Sequence, residues 1–164
     1  MLLSNLFPDE IIDSVYTLDW EELASTYRAV IFDIDNTLVP HDAPADEAAK
    51  ALFERLRSLG MKTMLLSNNQ EPRVKAFALQ VDSPYIFKAG KPGSAGYERA
   101  MEQLGTSTGD TLSVGDQIFT DVWGSKRAGL RILLTRPMDP SSEPPRIALK
   151  RRLEGPFLRK CRKT

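Results

Sequence analysis

Residues 30–39 read VIFDIDNTLV, an apolar run of strand type broken by two carboxylates, Asp33 and Asp35, two positions apart. An ionised carboxylate taken out of water without a partner is costly. The pair therefore belongs at the end of a strand, where the chain leaves the core and a cation can meet it. Side chains at i and i+2 of a strand point the same way, so Asp33 and Asp35 are expected to face one site.

Working outward, residues 29–33 form a fully apolar strand, and residues 46–59 place Ala49, Leu52, Phe53, Leu56 and Leu59 at helical spacing before Gly60. Further strands are expected at 61–67, 85–87, 111–115 and 131–135, and helices at 72–80, 94–104 and 120–128. Apolar strands alternating with helices predict a mainly parallel sheet covered on both faces, a three-layer α/β Rossmann-like fold. Upstream, Pro8-Asp9-Glu10 has the marks of a helix start, with Ile11, Ile12, Val15 and Tyr16 on one face. Asp19 and Glu22 suggest a capping box opening a second short helix.

Three segments result: an N-terminal helical segment packed on the core (1–28), a core (29–136), and a proline-rich break with a basic tail (137–164). In the tail a helix is expected from Arg146 until Gly155-Pro156 interrupts it.

The chain has 164 residues, 41% hydrophobic and 27% charged, which is ordinary for a folded water-soluble domain and unlike a disordered one. Net charge is zero but unevenly placed: residues 146–164 carry +7 and residues 1–145 carry −7. A basic tail on an acidic body suggests an anionic partner surface or a solvated extension. Cys161 is the single cysteine, so neither an intrachain disulfide nor a cysteine-rich zinc site is available. The N-terminus lacks the basic start of a signal peptide, and no run reaches the roughly 18 apolar residues of a membrane span. A cytoplasmic protein without a transmembrane segment is expected.

In a parallel sheet of this kind, ligands bind beyond the carboxyl ends of the strands. The residues just past the expected strands are Asp33, Asp35 and Thr37; Ser67, Asn68 and Asn69; Lys91; and Asp116 and Asp121. Acids, hydroxyls, amides and a lysine converging on one rim suit phosphoryl transfer. One carboxylate can attack phosphorus while its neighbour handles protons. Mg2+ takes hard oxygen ligands and keeps several waters, so a few carboxylates and a phosphate oxygen suffice. Ser67 can hydrogen-bond a phosphoryl oxygen, and Lys91 can balance the charge of nucleophile and phosphate.

Asp33-Ile34-Asp35-Asn36-Thr37, Ser67 at a strand end, Lys91-Pro92, and Gly115-Asp116 followed by Asp121 resemble, in order, the four motifs of haloacid dehalogenase-like phosphatases. The resemblance covers roughly residues 29–135. FDIDNTLV, LLSNN and VGDQIFTDVWGSKRAG are similar to YqeG-type members of subfamily IIIA, themselves similar to phosphatidylglycerophosphate phosphatases. The resemblance implies Asp33 as nucleophile, and Asp35 as the acid that protonates the leaving oxygen and then activates water. It implies Mg2+ held by Asp33, Asp116 and the backbone carbonyl of Asp35, with Asp121 holding Lys91 or a metal-bound water. Thr37, Ser67, Asn68 and Lys91 fall with the phosphate contacts.

Only 33 residues separate Asp33 from Ser67 and 23 separate Ser67 from Lys91, which one helix and one strand nearly fill. No cap domain fits, and an open site suits a large substrate or a headgroup at a membrane. The substrate implied is a phosphorylated lipid headgroup, phosphatidylglycerophosphate being converted to phosphatidylglycerol. Peripheral contact with an anionic membrane would run through 146–164, where each Lys or Arg near the surface contributes about 1 kcal/mol. Two other readings stay open: a soluble phosphatase for small phosphate esters or nucleic-acid ends, and a noncatalytic module binding RNA or protein through the tail. Nucleic acid is the weaker partner on this reading. His41 is read as a solvent-exposed loop histidine and Trp123 as helix packing.

Overall fold

The computed structural model describes residues 3–162. Six strands form one sheet: β1 (Glu10–Ile12), β2 (Ala29–Phe32), β3 (Lys62–Leu66), β4 (Tyr85–Ile86), β5 (Thr111–Gly115) and β6 (Arg131–Thr135). Their order is β1-β6-β5-β2-β3-β4, and every pairing is parallel. The helices are α1 (Trp20–Thr26), α2 (Glu47–Ser58), α3 (Glu71–Val81), α4 (Ala95–Leu104), α5 (Trp123–Arg127) and α6 (Pro145–Cys161).

β2 is central, and its four residues are all buried because both faces are covered. Alternation sends Val30 and Phe32 into one apolar cluster with Phe53, Leu56 and Phe77, and Ala29 and Ile31 into another with Tyr97 and Ala100. Phe32 sits between Trp20 and Phe53, with ring centroids 5.8 and 5.5 Å away. Fully burying such a ring contributes about 1.5–3 kcal/mol. Asp19 caps α1, its carboxylate accepting from the Glu22 N–H at 3.0 Å, and Asp46 caps α2 by accepting from the Ala49 N–H at 2.8 Å.

Two local readings are overturned. The helix expected from Pro8 is absent. Glu10–Ile12 instead pairs with β6 at the sheet edge, and only a 3-10 turn, Val15–Thr17, follows. Asp9 holds the register: its N–H donates to the Ile132 carbonyl at 3.1 Å and its carboxylate accepts from the Ile132 N–H at 2.8 Å. The open edge of β6 offers ladder partners that outweigh a marginal helix start.

The tail is also different from its expectation. α6 runs unbroken through Gly155 and Pro156, so the proline's missing N–H is tolerated inside the helix. Packing supplies what propensity lacks. Phe157 meets Phe119 at 5.5 Å between ring centroids, Leu158 joins the cluster around Ile118 and Leu134, and Glu154 is buried. The tail is therefore a docked helix rather than a solvated extension.

Candidate active site

β3 and β5 flank β2 and run with it, so their carboxyl ends open on one rim. Asp33 extends β2 by one step, its N–H donating to the Val114 carbonyl at 3.0 Å. The chain then turns. Asn36 takes a φ of 61°, a left-handed conformation asparagine tolerates better than most residues, and its N–H donates to the Val39 carbonyl at 2.7 Å. Across the rim, β5 ends at Gly115. A Cβ there would lie 2.4 Å from both Cβ and Cγ of Asp121, so only glycine lets the π-helical turn Ile118–Val122 press Asp121 against the strand end. Asp121 Oδ2 then accepts from the N–H groups of Asp116 and Gln117, both at 3.1 Å.

Lys91 joins the two sides. Its ammonium donates to Asp33 Oδ1 at 2.9 Å, Asp121 Oδ1 at 2.7 Å and the Leu66 carbonyl at 2.9 Å, which uses all three of its protons. Asn68 holds the lysine's backbone, accepting from its N–H at 2.8 Å and donating to its carbonyl at 2.9 Å. The Thr37 hydroxyl donates to Asp116 Oδ1 at 2.9 Å and lies 3.4 Å from Asp33 Oδ2. Ser67 Oγ accepts from the Asn69 N–H at 3.1 Å and keeps its own proton to donate.

The electrostatics follow from burial. Desolvation pushes the Asp33 carboxyl well above the usual range; Lys91 pulls against this, and Asp121 and Asp116 add to it. Desolvation also lifts Asp116 to about 6, reinforced by Asp121 and opposed by Arg151. Burial alone would pull the Lys91 ammonium down, but Asp121 and Asp33 outweigh it and hold the lysine well above its ordinary value. One oxygen each from Asp33, Asp116 and Asp121 lies within 4.8 Å of the others. Hard, negatively charged oxygens gathered in that space fit a divalent cation such as Mg2+.

Asp35 is arranged differently from its neighbours. Its carboxylate accepts from Arg73 at 3.0 Å and from the Asp42 N–H at 2.7 Å, and it groups with His41 and Asp42 rather than with the three other acids. Its side chain is therefore outside the candidate metal cluster, while it lines the same cleft as Asp33. Thr37 also departs from its expected place among phosphate contacts: it is buried, ties Asp116 to Asp33, and does not line the cleft. Asp33, Ser67, Asn68, Lys91 and Asp121 all line it. So does His41, whose side chain is 14% exposed, where a solvent-facing loop residue was expected.

The cleft has a volume of about 400 Å³, and one wall is the start of α6 with Arg146, Ile147 and Lys150. The site lacks an inserted cap domain, yet the C-terminal helix partly encloses it. Arg151, half-buried on the same helix, ion-pairs with the Asp116 and Glu143 carboxylates and donates to the Asp116 carbonyl at 3.1 Å. Asn36 donates to Glu143 at 2.8 Å and accepts from the Asp139 N–H at 2.8 Å, tying the first motif to the segment before α6. These contacts are not legible in the tail's net charge, only in its spacing. Ile147, Arg151, Glu154 and Leu158 fall on one helical face, and that pattern was readable.

Residues 40–129 match the family described as haloacid dehalogenase-like hydrolase. The chain belongs to the haloacid dehalogenase-like hydrolase family. The match begins beyond Asp33 and Asp35; both acids belong to the DxDxT stretch, and Asp33 is tied to the matched region by its contact with Lys91. The hydrolase is similar to the probable phosphatase YqeG of Bacillus subtilis, 35% identical over 140 residues, covering 84% of this chain and 81% of that one. It is a phosphatase of that family. It is also similar to phosphatidylglycerophosphate phosphatase 1, chloroplastic/mitochondrial, of Arabidopsis thaliana, 25% identical over 94% of this chain and 48% of that protein. The chain thus spans about half of the plant relative. In fold, the hydrolase matches the cobalt-bound deoxy-D-mannose-octulosonate 8-phosphate phosphatase of Haemophilus influenzae with a TM-score of 0.57 at 14% identity, over 78% of this chain and 77% of that one.

Proposed function

We propose that this hydrolase is a Mg2+-dependent phosphomonoesterase acting through an aspartyl phosphate, with phosphatidylglycerophosphate as substrate and phosphatidylglycerol as product. The observation that carries the reading is the Lys91 ammonium shared between Asp33 and Asp121 beside Asp116, at the carboxyl ends of adjacent parallel strands. The lipid substrate is supported by the similarity to the Arabidopsis phosphatidylglycerophosphate phosphatase and by the basic wall of the cleft.

Asp33, Asp116 and Asp121 would hold the cation, which when bound supplies positive charge for the acids and for the phosphoryl oxygens. In the first step Asp33 attacks phosphorus, the ester P–O bond breaks, and Asp35 gives a proton to the departing alkoxide. In the second, water attacks the same phosphorus, Asp35 takes its proton, and Asp33 leaves with inorganic phosphate released. Arg73 holds Asp35 in place for both transfers. Ser67, Asn68 and Lys91 steady the phosphate. The Asp33→Asn variant should lower phosphate release from phosphatidylglycerophosphate and from p-nitrophenyl phosphate by at least roughly 10³-fold. Unchanged turnover in that variant would overturn the mechanism, and metal-independent turnover would overturn the role of the cation.

The proposed setting is the cytoplasmic face of a membrane. Among the described residues no helix is long and apolar enough to cross one. Contact would instead run through the outer face of α6, where Leu149 and Leu153 are exposed beside Arg152. A phosphatase for small soluble esters remains the second reading, which an activity panel on lipid and soluble phosphates separates.

A further inference from the structure

Among the described residues, Lys91, Arg146 and Lys150 line the cleft and Arg73 and Arg151 pair with acids of the site, and these cations fall into two sets. Lys91, Arg73 and Arg151 are each paired with carboxylates of the site. Arg146 and Lys150, one helical turn apart on α6, line the cleft and have no ion-pair partner among the described residues. They share the lining of one cleft with Asp33, Asp35 and Asp121, Ile147 of the same helix lines it too, and the volume of about 400 Å³ exceeds what a lone phosphoryl group needs. Cations without partners on the wall of an otherwise acidic cleft call for an anion that the substrate brings.

We propose that Arg146 and Lys150 form a second anion subsite, which binds a phosphodiester on the alcohol side of the scissile phosphomonoester. The inference rests on the phosphomonoesterase reading and adds a specificity determinant to it. A substrate with a second phosphate a few bonds away spans from Asp33 to α6. One with a single phosphate leaves α6 unused.

Glycerophosphoglycerophosphate, the deacylated headgroup, carries both groups in a water-soluble molecule, and glycerol 3-phosphate carries only the monoester. The test compares kcat/KM for the two in wild type and in R146Q/K150Q. The ratio of headgroup to glycerol 3-phosphate should fall about tenfold in the double variant, as expected for losing two exposed ion pairs. R146K and K150R, which keep the charge, should retain it. A ratio within about twofold of wild type overturns the subsite. So does a loss seen only with lipid in vesicles and not with the soluble headgroup, which would reflect attraction to the bilayer. Binding of the headgroup to D33N, with and without R146Q/K150Q, is measured by calorimetry so that turnover is not required. Charge-dependent binding without turnover in wild type would overturn the phosphatase mechanism and leave the subsite standing. Turnover with charge-independent binding would overturn the subsite alone.

Discussion

At the residue scale, Gly115 shows how one missing atom organises the site. Its hydrogen leaves space for Asp121, whose two oxygens then serve the Asp116 and Gln117 amides on one side and Lys91 on the other. Gly115→Ala should displace Asp121 and loosen Lys91. Overpacking of this kind costs about 1–3 kcal/mol, visible as a lower thermal midpoint. Phosphatase activity should fall further than stability alone explains. A variant with the wild-type midpoint and activity would show that the turn can yield without moving the acid. The motif Gly-Asp was readable in the sequence, but the contact across five residues that makes the glycine necessary was not.

At the scale of the element, α6 is held on its inner face by a charged pair and a buried acid. Burial pushes Glu154 up to about 7; the Phe119 amide, donating at 3.0 Å, and Arg151 oppose this, and Asp121 adds to it. A raised carboxyl binds its proton more tightly folded than unfolded, so its contribution to stability falls as pH rises from about 4.5 through 7. Glu154→Gln should remove that slope. Its stability relative to wild type should increase by up to a few kcal/mol between pH 5 and 8, measured by denaturant unfolding. A constant difference across that window would refute the assignment. Arg151→Met leaves Asp116 and Glu143 without their shared guanidinium. In metal-free buffer it should cost about 2–4 kcal/mol, less than a fully enclosed pair because the arginine remains 15% exposed. Added Mg2+ should then raise the thermal midpoint more in the variant than in wild type, because Asp116 regains a counter-ion. Equal shifts in the two proteins would show that Arg151 and a cation do not share that carboxylate.

At the scale of the whole molecule, the zero net charge conceals a basic segment laid against an acidic body. Folding divides the segment's charges: Arg151 turns inward to the site, Arg146 and Lys150 line the cleft, and Arg152 and Arg159 are exposed, as are Leu149 and Leu153. If the outer face meets an anionic bilayer, the protein should co-sediment with vesicles containing phosphatidylglycerol and be released by high salt. Leu149→Ala with Leu153→Ala should weaken that partition roughly fivefold. Equal sedimentation with uncharged phosphatidylcholine vesicles would remove the electrostatic part of this reading.

Local rules determined a great deal. The run from Ala29 to Asp33, the helical spacing of residues 46–59 and the acids and lysine at successive strand ends followed from periodicity and from the cost of burying charge. They named the parallel sheet and most residues that meet at its rim. Tertiary structure alone decided three things: the strand Glu10–Ile12 where a helix start is written, the turning of Asp35 toward Arg73, and the docking of α6 over the cleft. Each depends on partners far away in the chain, β6 for the strand, α3 for the acid, and Asp116 with the Phe119 amide for the helix. Propensity and spacing register near neighbours, whereas an open sheet edge or an unpaired buried carboxylate exerts its pull only after the chain has closed on itself.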